Sequence, residues 1–278
     1  MAWVNYNGHF FPENALPVAA SDVGLRYGVS LFETMRWRGG KVPLLAGHYD
    51  RLKAGMKVFQ AALPPSFTPE VLQTEIEKTV KQNAVVGDAW IRLQVTPDFE
   101  ATALHPFPGM LFRIECTACE PLAFNGLGLK VDFSENDYRS NLSPFCFFKT
   151  GNYAPYFLAS LEAKNRGLDD VFLLNARGNV GESATANVFC TESNRLLTPP
   201  LSEGIVAGVA RGHLLQVLSH SGFIIEEEPL SKVRLLQADA IFLTNAFRGL
   251  RWVASCGDTT FSKGPAEDLF RKAFLLDT

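Results

Sequence analysis

Hydrophobic and polar residues alternate in several short segments of the chain and recur at helical spacing in others. Residues 3–12 alternate around Asn7-Gly8, a pair that favours a two-residue turn, so we expect a hairpin there. Leu52, Met56 and Phe59 recur every three or four residues, which predicts a helix over residues 46–61. Similar patterns predict helices over residues 69–82 and 152–165, one ending near residue 221 and one starting near residue 265. Further strands are expected in the second half of residues 21–37 and over residues 41–45, 89–96, 110–119, 129–133, 170–175, 187–191, 195–198, 240–245 and 251–255.

The order of these elements predicts an α/β protein of two domains. Residues 1–119 form the smaller domain, in which strands cluster before and after the helices in an α+β arrangement. Residues 120–126 have the composition of a linker, and residues 127–278 form the larger domain. A chain of 278 residues is long enough to bury the cores of two such domains.

Composition and charge narrow the range of partners. A net charge of -3 gives no reason to expect a nucleic acid or an anionic membrane. The chain has no run of 18 apolar residues and no basic N-terminal segment followed by an apolar one, so neither a membrane span nor a secretory signal is expected. The five scattered cysteines indicate reduced thiols and a cytoplasmic location. Cys116 and Cys119 form a lone C-x-x-C pair without further ligands, so no metal is expected.

Lys149 has an unusual setting for a lysine. It follows the apolar residues 145–148 and precedes Gly151-Asn152, which can turn the backbone into a helix. Burying an ammonium group is costly, and the neutral amine that results is a nucleophile for carbonyl groups. A lysine that extends from a strand end into solvent is the more common situation, so this segment alone leaves both interpretations open.

Three other segments suggest an anionic ligand without requiring one. His48 and Arg51 are three residues apart in a predicted helix, so they share one side of it. The small residues before the helix that follows Gly208 would expose backbone N–H groups to an anion. Glu182 lies among small residues in a predicted turn over residues 175–182, where it either faces a flat ligand or is solvated.

Taken together and in this order, these segments resemble the class IV aminotransferases, which are fold-type IV pyridoxal phosphate (PLP) enzymes. The resemblance covers nearly the whole chain and implies a two-domain fold like that of D-amino acid aminotransferase, PLP as cofactor and a homodimer. The segments that carry it are Arg26-Tyr27-Gly28, Phe32-Glu33-Thr34, His48-x-x-Arg51-Leu52, Lys149-Thr150-Gly151-Asn152-Tyr153, Gly181-Glu182-Ser183, Asn187-Val188-Phe189, Gly204-Ile205 with Gly208 and Arg211, and Phe242–Gly249.

The resemblance implies roles for the catalytic residues. Lys149 binds PLP covalently and transfers protons to and from the substrate. Glu182 pairs with the pyridine nitrogen and keeps it protonated, so that the ring withdraws electrons from the substrate. Thr34 lies where the family's lyases carry a threonine proposed to assist the proton transfers.

The resemblance also implies which residues hold the rest of the cofactor. Arg51 matches the arginine that binds the phosphate through two hydrogen bonds. The N–H groups of Val209 and Ala210 are expected to complete the phosphate site. Asn245 lies where family members add phosphate contacts, and Tyr153 is the candidate partner of the ring hydroxyl.

Within the family, the pattern is most similar to 4-amino-4-deoxychorismate lyase, which forms 4-aminobenzoate and pyruvate for folate synthesis. Thr34, the spacing Lys149-x-x-Asn152 and residues 238–246 and 253–258 favour that activity. The alternative is an aminotransferase acting on branched-chain or D-amino acids. A non-catalytic protein that binds PLP or a partner is an alternative of another class.

The chain departs from the lyases in one respect. Residues 97–105 lack the arginine with which lyases and D-amino acid aminotransferases bind a substrate carboxylate. The carboxylate must therefore bind elsewhere, although each remaining arginine could equally form a structural ion pair. The substrate-binding candidates are Arg26, Tyr27, Arg92 and Arg248, with Arg36 and Arg139 as further arginines.

Overall fold

The chain divides by its contacts into two compact units. The structure is a computed structural model, and it describes residues 2–99, 109–136, 142–218 and 224–275. The first unit comprises Met1–Leu122 and Phe148–Tyr153, and the second comprises Ala123–Phe147 and Ala154–Thr278. The short segment that contains Lys149 therefore belongs to the first unit by its contacts, and the domain bounds proposed from the sequence stay a prediction.

The first unit is an antiparallel sheet whose one face is covered by helices. Its strands are β1 (Trp3–Tyr6), β2 (His9–Pro12), β3 (Leu31–Trp37), β4 (Ala89–Pro97) and β5 (Met110–Ala118). Its α-helices are α1 (Val23–Tyr27), α2 (Leu45–Val58) and α3 (Pro69–Gln82). The strands lie in the order β2-β1-β5-β4-β3, so β3 is an edge strand. Because side chains alternate along a strand, Leu31 and Met35 enter the core under α2 and α3, whereas Phe32 and Thr34 lie on the other face.

Local chemistry explains why the first elements agree with the predicted ones. Asn7 and Gly8 both have positive φ values, 52° and 85°, which is the turn geometry that matches the twist of a hairpin. Helix α3 covers residues 69–82 as predicted, because the side chain of Thr68 accepts a hydrogen bond from Val71 N and Pro69 starts the first turn.

The predicted strand over residues 41–45 is wrong. Only an isolated bridge joins Arg38 to Lys41, and α2 already begins at Leu45. Pro43 has no N–H to donate to a ladder, and Leu44 adopts a left-handed conformation with φ 61° that starts the helix.

The second unit is built on a ten-stranded sheet. Its strands are β6 (Leu129–Phe133), β7 (Asp170–Leu174), β8 (Asn179–Ser183), β9 (Asn187–Glu192), β10 (Arg195–Thr198), β11 (Ile224–Glu227), β12 (Leu230–Ser231), β13 (Ala240–Asn245), β14 (Gly249–Cys256) and β15 (Thr259–Thr260). Its α-helices are α4 (Ala154–Asn165), α5 (Val209–Leu218), α6 (Lys232–Leu236) and α7 (Ala266–Phe274). The strand order is β11-β10-β9-β13-β14-β6-β7-β8-β12, and β8 also pairs with β9. Strands β9, β13, β14, β6, β7 and β8 thus form a closed circuit of pairings.

The predicted turn over residues 175–182 is too long. The turn closes at Gly178, whose φ is 77°, and β8 begins at Asn179. Glu182 consequently lies in a buried strand. The predicted end of a helix near residue 221 lies in residues 219–223, which are outside the described part of the chain.

The described part of the chain was searched for membrane-spanning helices and for metal-binding groups. None of its helices is long and apolar enough to cross a bilayer. The described residues contain no group of three His, Cys, Asp or Glu side chains placed to hold a metal ion.

Truncation of a central aromatic residue tests the core of the first unit. Phe67 is fully buried, and its ring centroid lies 5.4 Å from that of Phe112. Phe67→Ala is expected to lower the free energy of unfolding by about 3–5 kcal/mol, because it removes apolar contacts and leaves a cavity. Urea titration followed by circular dichroism measures this. Val86→Ala is the control, because Val86 is 91% exposed and its truncation should change stability by less than about 0.5 kcal/mol.

Candidate active site

The segment that carries Lys149 is paired with the edge strand β3. Lys149 O accepts a hydrogen bond from Phe32 N at 2.8 Å, and Gly151 N donates to Ser30 O at 2.7 Å. A Cβ atom on Gly151 would lie 2.2 Å from Ser30 Oγ, so only glycine permits this approach. The pairing fixes the backbone of Lys149 against the first unit's sheet.

The side chain of Lys149 extends into an aromatic cluster. Its Nζ lies 4.9 Å from the centroid of the Phe32 ring and 6.0 Å from that of Tyr153. The two rings meet edge to face at 5.2 Å. Arg92 Cζ lies 4.1 Å from the Phe32 centroid, so two cations contact the same ring.

Thr34 shares this face of the sheet. It is two residues along β3 from Phe32, and it pairs directly with Arg92 of β4. The structure therefore brings three of the predicted site residues, Lys149, Tyr153 and Arg92, around the Phe32 ring, and it places Thr34 on the same face of the sheet. Their chemical roles stay predictions.

Arg51 is held by Glu33, a residue for which the sequence predicted no role. Its Nε donates to Glu33 Oε1 at 2.8 Å, and its Nη2 makes a short contact with Glu33 Oε2. His48 Nδ1 lies 2.6 Å from the same Oε2. The sequence offered one signal for this role of Glu33. His48 and Arg51 were predicted to share one side of a helix, where a single acceptor can bind both.

The ionisation of Glu33 follows from these contacts. Burial alone would raise its pKa, but the charge of Arg51 and the hydrogen bonds from His48 and Arg51 outweigh burial and lower the pKa to about 2. Because this value lies below the ordinary one, the ionised carboxylate stabilises the fold above about pH 4.5, and that contribution is lost as the pH falls towards 2. Burial lowers the pKa of His48 against the opposing effect of Glu33, so the imidazole is neutral at pH 7.

In the second unit, Glu182 is a buried carboxylate and not a solvated turn residue. It is 3% exposed, in β8. Tyr156 Oη donates to its Oε1 at 2.6 Å, while Val206 N and Asn187 Nδ2 donate to its Oε2 at 3.0 and 3.3 Å. These donors fix the orientation of the carboxylate. Tyr156 carried no signal in the sequence, because its partner lies 26 residues away in another element.

The start of α5 supplies backbone donors in the same unit. Val209 and Ala210 occupy the first turn, where N–H groups have no acceptor within the helix. Gly208 precedes them, and a Cβ atom there would lie 1.8 Å from Asn187 Oδ1. The bare backbone at the helix start is suited to a phosphate group.

Asn245 has a structural task in the turn after β13. Its Oδ1 accepts hydrogen bonds from Phe247 N at 3.2 Å and Arg248 N at 2.7 Å, and its Nδ2 donates to Thr185 O at 3.2 Å. The side chain thus shapes the turn, and the predicted contact of Asn245 with the cofactor stays a prediction.

The other substrate-binding candidates lie in different settings. Tyr27 is 71% exposed in α1, and the neighbouring Arg26 donates from Nε to Ala20 O at 2.6 Å. Arg248 is exposed in the turn after β13. Arg36 forms a buried structural ion pair, with Nη1 2.7 Å from Asp88 Oδ2. Arg139 lies outside the described residues.

Each unit by itself offers groups that suit particular parts of PLP. The first unit offers an amine for the aldehyde of PLP and a guanidinium for its phosphate, in Lys149 and Arg51. The second unit offers a buried carboxylate for the pyridine nitrogen, in Glu182, and a helix start for the phosphate. The aldehyde, the phosphate and the pyridine nitrogen of PLP therefore each have a chemically suitable partner.

Comparison with known proteins identifies the family. The sequence model described as "Amino-transferase class IV" matches residues 30–256. The chain therefore belongs to the class IV aminotransferases. It is an enzyme with PLP as its cofactor, as the resemblance implied.

Two curated relatives cover most of the chain. A putative branched-chain-amino-acid aminotransferase of Methanocaldococcus jannaschii is 32% identical over 244 residues, which are 86% of this chain and 82% of the relative. The branched-chain-amino-acid aminotransferase of Salmonella typhimurium is 24% identical over 286 residues, which are 98% of this chain and 92% of the relative.

Solved structures confirm the predicted α/β fold. The branched-chain aminotransferase of Thermoproteus uzoniensis matches with a TM-score of 0.84 at 23% identity, covering 97% of this chain and 94% of its own. A putative 4-amino-4-deoxychorismate lyase of Legionella pneumophila matches with 0.77 at 23% identity, covering 90% and 91%. The two curated relatives, both named branched-chain-amino-acid aminotransferases, favour the aminotransferase alternative over the predicted lyase.

Alanine substitutions at two glycines near the start of α5 are expected to change stability in opposite directions. Gly208→Ala is expected to lower the free energy of unfolding by about 1–3 kcal/mol, because the new methyl group displaces Asn187, which supports Glu182. Gly212→Ala is the matched control. It lies inside α5 with nothing within 4 Å of the added Cβ, so it should raise stability by about 0.5–1 kcal/mol. Thermal unfolding of both variants measures the difference, and equal effects would contradict the account.

Proposed function

We propose that this chain is a PLP-dependent aminotransferase acting on branched-chain amino acids. The observation that carries the proposal is the position of Lys149 Nζ, 4.9 Å from the Phe32 ring and beside Tyr153, in a chain of this family. Aromatic surfaces next to the reacting amine suit an aliphatic substrate side chain better than a charged one. The 32% identity to a putative branched-chain aminotransferase supports the same substrate class.

The proposal gives each residue a task in the reaction. PLP, when bound, withdraws electrons from the substrate Cα. Lys149 holds the cofactor and afterwards moves the proton at Cα. Glu182 stabilises a positive charge at the pyridine nitrogen. Arg51 and the N–H groups at the start of α5 bind the phosphate, and Tyr153 faces the ring hydroxyl.

Arg92 is the proposed carboxylate-binding residue of the substrate site. It contacts the same ring as Lys149, whereas Arg36 is already paired with Asp88 and Arg26 is exposed. A guanidinium binds a carboxylate through two parallel hydrogen bonds. Its position at the Phe32 ring, which Lys149 also contacts, would bind the carboxylate of an amino acid on the face of the sheet that carries the amine.

A lyase that releases 4-aminobenzoate and pyruvate is the second candidate. Two observations favour it: Thr34 lies on the same sheet face as Phe32, and a putative lyase is among the structural matches. In that reaction the hydroxyl group of Thr34 would assist the proton transfers.

The assembly and location of the enzyme are further parts of the proposal. The family resemblance supports a homodimer, which light scattering on the purified protein would test. All five cysteines are free thiols, which supports a reducing, cytoplasmic environment.

The substrate test is spectroscopic. Purified enzyme with PLP is expected to change its visible spectrum when leucine, isoleucine or valine is added, and to form the corresponding keto acids. D-amino acids and aminodeoxychorismate are assayed in parallel. Release of 4-aminobenzoate with an unchanged spectrum would instead establish the lyase and refute the aminotransferase.

Loss of the amine tests the assignment of Lys149. Lys149→Ala is expected to abolish both the visible absorbance of covalently bound PLP and turnover, because no other group then forms the bond. Lys164→Ala is the control, since Lys164 is exposed at the end of α4 and should retain both. A Lys149→Ala variant with full absorbance and turnover would refute the assignment.

The role of Arg92 predicts a change in substrate binding. Arg92→Met keeps the length of the side chain but removes its charge, and it is expected to raise KM for the amino acid about tenfold or more with a smaller effect on kcat. Arg271→Met is the control, since Arg271 is exposed in α7. An unchanged KM in Arg92→Met would show that the carboxylate binds elsewhere.

A further inference from the structure

Glu33, His48 and Arg51, here called the Glu33 triad, form a buried group of ionisable side chains in the first unit. The side chains are 3%, 1% and 8% exposed, respectively. Glu33 Oε1 accepts from Arg51 Nε at 2.8 Å, and Oε2 contacts both Arg51 Nη2 and, at 2.6 Å, His48 Nδ1. Three separate contacts thus converge on one carboxylate.

Stability alone is a poor reason for such an arrangement. Desolvation of two opposite charges costs about as much as their attraction returns, and apolar residues of equal volume are often as stable or more stable. What a buried carboxylate does supply is orientation. Glu33 accepts two of the five N–H groups of the guanidinium along its Nε–Nη2 edge, which fixes the plane of Arg51.

The position of Glu33 in β3 links this orientation to Lys149. Its neighbour Phe32 donates its N–H to Lys149 O at 2.8 Å and lies under the Lys149 amine. Phe32 and Glu33 point to opposite faces of the strand because side chains alternate. Two successive residues of one strand therefore contact the two segments that carry the amine and the guanidinium.

We propose that Glu33 is a positioning residue for the cofactor phosphate, acting through Arg51, and that His48 holds Glu33 in place. This inference rests on the proposed assignment of Arg51 to the phosphate. Its distinctive consequence is selectivity: the triad serves the phosphate group and no other part of the cofactor. Pyridoxal, which lacks the phosphate, should not depend on Glu33.

The role of His48 is restricted to one ring nitrogen. Since Glu33 is an ionised acceptor, Nδ1 must carry the hydrogen that faces it. Nε2 is buried and has no hydrogen-bond partner among the residues that the structure describes. An asparagine, whose amide can place a donor near the position of Nδ1, should therefore replace His48 better than an apolar residue of similar size.

The test compares the affinities of PLP and pyridoxal for the cofactor-free protein, measured by quenching of tryptophan fluorescence. Glu33→Gln is expected to weaken PLP binding about tenfold or more, because the amide cannot accept both guanidinium hydrogens, and to change pyridoxal binding less than about twofold. Arg51→Met should produce the same selective loss. In the double variant, which removes both charges together, Glu33→Gln should add no further loss.

The His48 variants provide a second test if Glu33→Gln does not fold. His48→Asn is expected to retain the preference for PLP over pyridoxal, and His48→Leu to lose most of it. Circular dichroism confirms that each compared variant is folded.

The outcomes separate this inference from the function on which it rests. If Arg51→Met binds PLP as tightly as the unaltered protein does, the assignment of Arg51 fails, and the inference fails with it. If Arg51→Met shows the selective loss but Glu33→Gln weakens PLP and pyridoxal equally, or weakens neither, only the inference about Glu33 is overturned. The same holds if His48→Leu keeps the full preference for PLP.

Discussion

The pairing of residues 149–151 with the edge strand β3 is the constraint on which the proposed chemistry depends. A lysine side chain has many rotamers, and its reactive atom is useful only if the backbone beneath it is fixed. Two main-chain hydrogen bonds fix it here, one from Phe32 N to Lys149 O and one from Gly151 N to Ser30 O. The second requires the missing side chain of Gly151, because a Cβ atom would collide with Ser30.

Two buried carboxylates are supported by different kinds of donor. Glu33 contacts the cation Arg51, so its charge is balanced within the first unit. The donors to Glu182 described above, a phenol, an amide and a backbone N–H, are neutral, and they fix the orientation of its carboxylate. The contacts of Glu33 fix the plane of a neighbouring guanidinium, whereas the contacts of Glu182 fix the carboxylate itself.

Sequence reasoning succeeded where local chemistry decides the structure. Helix α3 and strand β6 have their predicted bounds, since Thr68 and Pro69 mark the start of α3 and a short apolar run marks β6. Prediction failed where contacts with residues far away in the sequence decide the local structure. The segment 41–45 looks like a strand, but among the described residues no strand pairs with it beyond the bridge at Lys41. Strand β8 was missed because its pairing with β7 and β9 cannot be inferred from five residues.

The candidate site likewise combines residues that local motifs predicted with partners that only the fold brings near. Lys149, Arg51 and Glu182 could be singled out from motifs, whereas the partners that hold them could not. Glu33 reaches Arg51 across 18 residues, and Tyr156 reaches Glu182 across 26. The choice between lyase and aminotransferase was also beyond the motifs, because Phe32-Glu33-Thr34 is compatible with both. The curated relatives that cover most of the chain favoured the aminotransferase.

Lys149 is the residue that we propose carries the cofactor, and chemical trapping of that bond tests this assignment directly. Treating the enzyme and PLP with borohydride reduces the C=N bond between the cofactor and its lysine to a stable one, and peptide mass spectrometry then locates the modified residue. We expect a phosphopyridoxyl group on the peptide that contains Lys149 and on no other peptide in comparable amount. Modification of a different lysine, or of none, would contradict it.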